Sequence, residues 1–147
     1  MIVPAGGMRM PRSAQTAVEQ TDTGGNVRCA QNLYMNGAEI FNFTIRTVPE
    51  AVKRLLMKAG MLMDEVDYFV FHQANRFLLD HLRKKLAIPE EKFCINMQGY
   101  GNTVSSTIPM ALEIAHQRKE IRLGSRVMLV GFGVGFSWAA AMIKVFE

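Results

Sequence analysis

From Val127 to Ile143 the chain runs seventeen residues without a charge, and no other stretch constrains the fold as much. A membrane-spanning helix needs about 20 predominantly apolar residues. Here Gly131, Gly133, Gly135 and Ser137 interrupt the run. Two buried strands, Val127–Val130 and Phe136–Phe146, joined by a bend at Gly131–Gly135, fit better. Both are apolar at nearly every position, which predicts strands covered by helices on both faces.

Upstream, helical and strand-like periods alternate. Phe41, Ile45, Val48, Val52, Leu55 and Ala59 recur at threes and fours and form one apolar stripe. Pro49 inside that run predicts a kink or two abutting helices, and Gly60 fits the helix end. Val66–Phe71 reads as a strand. Residues 75–86 read as a second helix, with Leu78, Leu82 and Leu86 on one face and Arg83, Lys84 and Lys85 in the last turn, where the helix dipole favours cations. Phe93–Met97 reads as a short strand. A third helix follows the Gly99–Asn102 corner and carries Ile108, Ala111, Leu112 and Ala115 inward, accommodating Pro109. Strands alternating with helices make an α/β layered domain.

Residues 1–36 have no helical period, and Pro4, Gly6, Gly7, Pro11, Gly24 and Gly25 punctuate them. Such a long irregular excursion is unusual in a small domain, and predicts a chain that begins in the middle of something larger. With 147 residues, 49% hydrophobic and 20% charged, the chain suits one globular core and not a disordered segment. Eleven Met read as core filler. A net charge of +4 is compatible with an acidic partner but does not demand one, and no nucleic-acid partner is expected. Cys29 and Cys94 have no zinc-ligand spacing, so no metal site is expected, and their small number suggests a reducing cytoplasm. Residues 1–7 lack the basic and apolar regions of a signal peptide.

The chemistry concentrates at two corners. Phe71-His72-Gln73-Ala74-Asn75 and Gly99-Tyr100-Gly101-Asn102-Thr103 each end an apolar run where a helix is about to begin. Sites in α/β sheets gather at the carboxyl ends of strands. Alone, His72 reads as a hydrogen-bonded structural histidine and Asn102 as a left-handed turn residue. Together they offer two donors without fixed charge, which suits a site where an oxygen becomes negative, such as a thioester carbonyl turning into an enolate. Gly131-x-Gly133-x-Gly135 lacks the spacing and the following helix of a dinucleotide loop. A bend that brings backbone N–H groups close to a ligand accounts for these glycines.

Three segments, His72-Gln73-Ala74-Asn75, Gly101-Asn102-Thr103 and Phe132-Gly133-Val134-Gly135-Phe136-Ser137-Trp138, stand in the order found in type III β-ketoacyl-acyl-carrier-protein synthases. With the stretch from Met35 to Phe41, the chain resembles the C-terminal half of such an enzyme over residues 33–147, and residues 1–32 would be an irregular segment joining from the N-terminal half. The resemblance implies the C-terminal half of the thiolase-like fold, with helices layered on a mixed central sheet. It implies fatty acid biosynthesis by decarboxylative Claisen condensation of an acyl thioester with malonyl-carrier protein. His72 and Asn102 would stabilise the enolate, and the backbone near Gly133 and Val134 would help bind the oxyanion of acyl transfer. Gln73, Ala74, Asn75, Arg76 and Phe77 would border the mouth where acyl carrier protein or coenzyme A docks, and Gly37 and Phe41 would lie near the acyl pocket. No cofactor is implied beyond the phosphopantetheine that carries the substrates, and a cytoplasmic homodimer is expected.

The sequence departs from the family at three places. Arg76 follows Asn75 directly, where the family places Arg two residues on. Val134 replaces a glycine, which predicts strain if that position needs φ > 0. Neither cysteine matches a nucleophile motif, so the acylated thiol is expected outside this chain, and the chain alone is expected to be inactive. Cut from its other half, it is expected to expose an apolar patch at Ile108 and Leu112 and to self-associate. Two alternatives stay open: a related thiolase-fold acyltransferase of secondary metabolism, and a non-catalytic binding module.

Overall fold

The computed structural model describes residues 1–146 as two compact units, divided between Glu39 and Ile40. The first unit is irregular in sequence yet closed by local hydrogen bonds. Strands β1 (Gln20–Thr21) and β2 (Val27–Arg28) form a short antiparallel hairpin. Asp22 closes its turn by accepting from the backbone N–H of both Gly24 and Asn26 at 2.9 Å. Those donors, Asn26 foremost, hold the Asp22 carboxyl below the usual range. Ser13 and Thr16 cap each other reciprocally, and Gln31 reaches back to both.

Helix α1 (Gly37–Ala59), which lies in the second unit from Ile40 on, runs unbroken through Pro49. A proline in a helix interior removes an N–H and orphans the carbonyl four residues back. That carbonyl belongs to Ile45, and Lys85 donates its Nζ hydrogen to it at 2.7 Å. The expected break into two abutting helices is absent. Thr44, Val48, Val52 and Leu56 form the buried stripe, while Ala59 is exposed in the last turn. Gly60 adopts φ +62° and the Met61 N–H returns to the Leu56 carbonyl, a glycine-dependent helix stop.

Strand β3 (Tyr68–Phe71) pairs in parallel with β4 (Arg126–Gly133), which pairs antiparallel with β5 (Ser137–Lys144), in the order β3-β4-β5. Alternation along β3 sends Phe69 and Phe71 to one face and Tyr68 and Val70 to the other. The first face packs on α1 and on helix α2 (Arg76–Lys85) through Leu78, Leu79 and Leu82. The second packs on helix α3 (Thr107–Gln117) through Ala111 and Ala115. β3 and β4 are thus covered on both faces, as nearly unbroken apolar strands should be.

Four expectations need correction. β5 is largely exposed: among the described residues it is the edge of the sheet, with only β4 as ladder neighbour, and Trp138 keeps half its surface. Ile108 and Leu112 are half-buried against the α3 face of the sheet, whereas Val134, Phe136 and Trp138 on β5 and its turn are exposed. Phe93–Met97 makes one parallel bridge, Phe69 to Phe93, and is otherwise irregular. Its ladder stops because the Gln73 side chain intervenes. Gln73 Nε2 donates to the Cys94 carbonyl at 3.3 Å, and Oε1 accepts the Asn96 N–H at 2.8 Å. The glycine bend is also shorter than expected, since Gly131 and Gly133 belong to β4.

Candidate active site

His72 leaves the sheet at the carboxyl end of β3. Its N–H donates to the Val130 carbonyl at 2.8 Å, which extends the β3–β4 ladder by one residue. Its own carbonyl accepts the Ala74 N–H at 2.9 Å, so the chain turns at once toward α2. Asn75 caps that helix: its side chain accepts the Leu78 N–H at 2.8 Å from an extended backbone. The imidazole is therefore anchored on both sides of its Cα by backbone bonds and by a capped helix.

The ring meets a hydroxyl and an aromatic ring. Nδ1 lies 2.7 Å from Thr107 Oγ1, and the ring edge meets Phe132 at a centroid distance of 5.4 Å and 81°. Burial holds the His72 pKa below the ordinary imidazole value, with the Val104 carbonyl acting weakly the other way. The ring is neutral at pH 7, a polar group without fixed charge.

Asn102 arrives from the loop before α3. Its Nδ2 donates to the Ala74 carbonyl at 3.4 Å, a long bond, and its Oδ1 accepts the Val104 N–H at 2.9 Å. Asn102 is not the left-handed residue of this loop. Gly101 (φ +66°) and Val104 (φ +56°) take that conformation instead. A β-branched residue there is a genuine outlier that costs roughly 1–3 kcal/mol. Its amide is held by Asn102, and its carbonyl accepts the Thr107 N–H and lies 3.0 Å from the Thr107 hydroxyl oxygen. One chain of contacts, Ala74–Asn102–Val104–Thr107–His72, thus ties the two corners together.

The remaining expected residues separate by burial. Gln73, expected at the mouth, is 2% exposed and bonded inside to Phe71, Cys94 and Asn96, so it braces the backbone and cannot meet a docking partner. Ala74 is half-buried, while Asn75, Arg76 and Phe77 are exposed. Arg76 pairs with Asp80 at 3.7 Å on the surface, and Phe77 stacks on Phe41 at 5.8 Å. Phe41 also meets His81 at 5.6 Å. Gly37 opens α1 and is exposed. Gly133 ends β4, paired with Ser137, and Val134 lies in the β4–β5 turn. Val134 needs no positive φ, because Gly135 supplies it at +99°, so the expected strain is absent. Phe136 and Trp138 fold this turn onto Phe43, with the nearer ring pair at 4.7 Å.

Cys94 is buried, and burial, helped by the Glu120 charge, pushes its thiol up to about 11. Such a thiol is no nucleophile at neutral pH. Tyr68 donates to Glu120 Oε2 at 2.6 Å beside it, and burial raises that phenol as well. Sequence reasoning missed Thr107 and Val104. A threonine three residues past a turn carries no signal of its own, and a valine advertises against a left-handed conformation.

The model of the family described as 3-oxoacyl-[acyl-carrier-protein (ACP)] synthase III C terminal matches residues 56–145. A β-ketoacyl-[acyl-carrier-protein] synthase III of Acaryochloris marina is 37% identical over 124 residues, which cover 82% of this chain and 37% of that protein. A crystal structure of a 3-oxoacyl-(acyl-carrier-protein) synthase III superposes with a TM-score of 0.92 at 52% identity, covering 98% of this chain and 43% of that one. The 3-oxoacyl-(acyl-carrier protein) synthase of Burkholderia xenovorans gives a TM-score of 0.77 at 40% identity, covering 98% and 40%. The chain spans little more than a third of the length of the curated relatives it matches. The expected fold is borne out: α/β, the C-terminal half of the thiolase-like arrangement, with helices on a mixed sheet.

Proposed function

Because the chain belongs to the family of 3-oxoacyl-[acyl-carrier-protein] synthase III C-terminal domains, we propose that it supplies the malonyl-handling part of such an enzyme's active site. The reaction is decarboxylative condensation in fatty acid biosynthesis. Loss of CO₂ from a malonyl thioester leaves an electron pair delocalised onto the thioester oxygen. Donors aimed at that oxygen lower the barrier because they meet charge that only then develops. His72 and Asn102 are those donors. The enolate carbon then attacks an acyl thioester held on a cysteine outside residues 1–147, and a backbone amide at Gly133 or Val134 helps hold the resulting oxyanion. By itself the chain carries out no condensation.

The observation that supports this reading best is an uncharged His72, tied by Thr107, Val104 and Asn102 into one hydrogen-bonded chain at the carboxyl ends of parallel strands. Malonyl arrives on acyl carrier protein, and the acyl group on coenzyme A or the carrier, so phosphopantetheine travels with the substrates and no resident cofactor is needed. Exposed Asn75, Arg76 and Phe77 form the docking edge. The working enzyme is a cytoplasmic homodimer, a compartment in keeping with two unpaired cysteines.

In the enzyme containing this chain, His72→Ala and Asn102→Ala should each slow malonyl decarboxylation by about 10²–10³ and leave acyl loading nearly intact. Equal loss of both half-reactions would make the two residues structural. No CO₂ release from the unsubstituted enzyme would favour acyl transfer to another nucleophile.

A further inference from the structure

Thr107 begins α3 almost completely buried, at 3% exposure, and its hydroxyl oxygen touches two groups. His72 Nδ1 is 2.7 Å away and the Val104 carbonyl oxygen 3.0 Å away. A threonine hydroxyl has one proton to give. With that proton on Val104, Nδ1 must carry hydrogen, and a neutral ring offers only a lone pair at Nε2. With it on Nδ1, the ring hydrogen sits on Nε2, which becomes a donor.

The surrounding bonds favour the second arrangement. The Val104 carbonyl already accepts the backbone N–H of Thr107 and does not need the hydroxyl, and its pull on the ring is weaker than the burial that keeps the ring neutral. The contact to Nδ1 is also the shorter of the two. Burial keeps the ring neutral near pH 7, so the tautomer decides what its free nitrogen can do.

We propose that Thr107 is a positioning residue that sets the tautomer of His72: its hydroxyl donates to Nδ1, places the ring hydrogen on Nε2, and makes an uncharged imidazole a hydrogen-bond donor at its free nitrogen. This rests on the reading of His72 as an enolate-stabilising donor. It explains how a side chain without charge performs that task. It also gives a purpose to the strained Val104, whose conformation brings Thr107 into line with the ring.

Long-range proton–nitrogen correlation spectra of the ¹⁵N-histidine-labelled chain read the tautomer directly, and His72→Gln assigns the signal among three histidines. The unsubstituted chain and Thr107→Ser should show hydrogen on Nε2. Thr107→Val should move it to Nδ1, which then donates to Val104. Thr107→Ala is read in its place if the valine variant does not fold. Hydrogen on Nδ1 in the unsubstituted chain, or no change on losing the hydroxyl, overturns the proposal. In the complete enzyme Thr107→Val should lose decarboxylation but keep acyl loading, with Thr107→Ser restoring it. If the tautomers behave as expected and the unsubstituted enzyme releases no CO₂, the reading of function fails while the positioning role stands.

Discussion

Lys85 donates its side-chain ammonium to the Ile45 carbonyl at 2.7 Å, the acceptor that Pro49 leaves free in the middle of α1. The last turn of α2 thereby repairs a defect in α1 and sets the two helices against the same face of the sheet.

Lys85→Met keeps the apolar stem and removes the donor. It should lower stability by about 1 kcal/mol, the net worth of one such bond. In a Pro49→Ala background the Ile45 carbonyl regains its helical N–H, and the Lys85→Met effect should shrink toward zero. Urea unfolding of the four variants measures this coupling. Equal Lys85→Met effects in both backgrounds would mean that the contact merely accompanies the proline.

Gln73 is the second internal brace. Gln73→Ala leaves the Asn96 N–H without its partner and frees two carbonyls that the side-chain amide satisfies. A buried unsatisfied group costs about 1–3 kcal/mol, so a loss of roughly 3 kcal/mol is expected, with faster hydrogen exchange at the Asn96 amide. Retained stability together with weakened carrier binding would return Gln73 to the docking edge.

The third prediction follows from the depressed pKa of His72. The unfolded chain protonates this histidine near pH 6.5, while the folded chain resists until lower pH, so the unfolded state binds more protons in between. Stability from this group is full above about pH 6.5 and is lost as pH falls through the folded pKa. His72→Gln should flatten that part of the stability curve. Denaturant melts between neutral and mildly acidic pH test it, and an unchanged curve would mean that the ring is not desolvated.

Much was legible in the chain itself. The stripe through Val48 and Val52, the glycine stop at Gly60, the leucine face and basic last turn of α2, and the division of the uncharged run into two strands all follow from period, turn chemistry and length. These are short-range properties, fixed by neighbours within a turn or two. His72 and Asn102 were also visible as paired polar corners, since each sits where an apolar run gives way to a helix. Tertiary contact decided the rest. Pro49 does not break α1 because the orphaned Ile45 carbonyl is occupied by a lysine forty residues beyond it. Phe93–Met97 does not complete a strand because Gln73 takes its backbone groups. β5 stays exposed despite its apolar sequence because hydropathy records what a strand could bury and not which neighbour arrives to cover it. The tautomer of His72 depends on one hydroxyl proton shared between groups 35 residues apart, and no local pattern encodes such a choice.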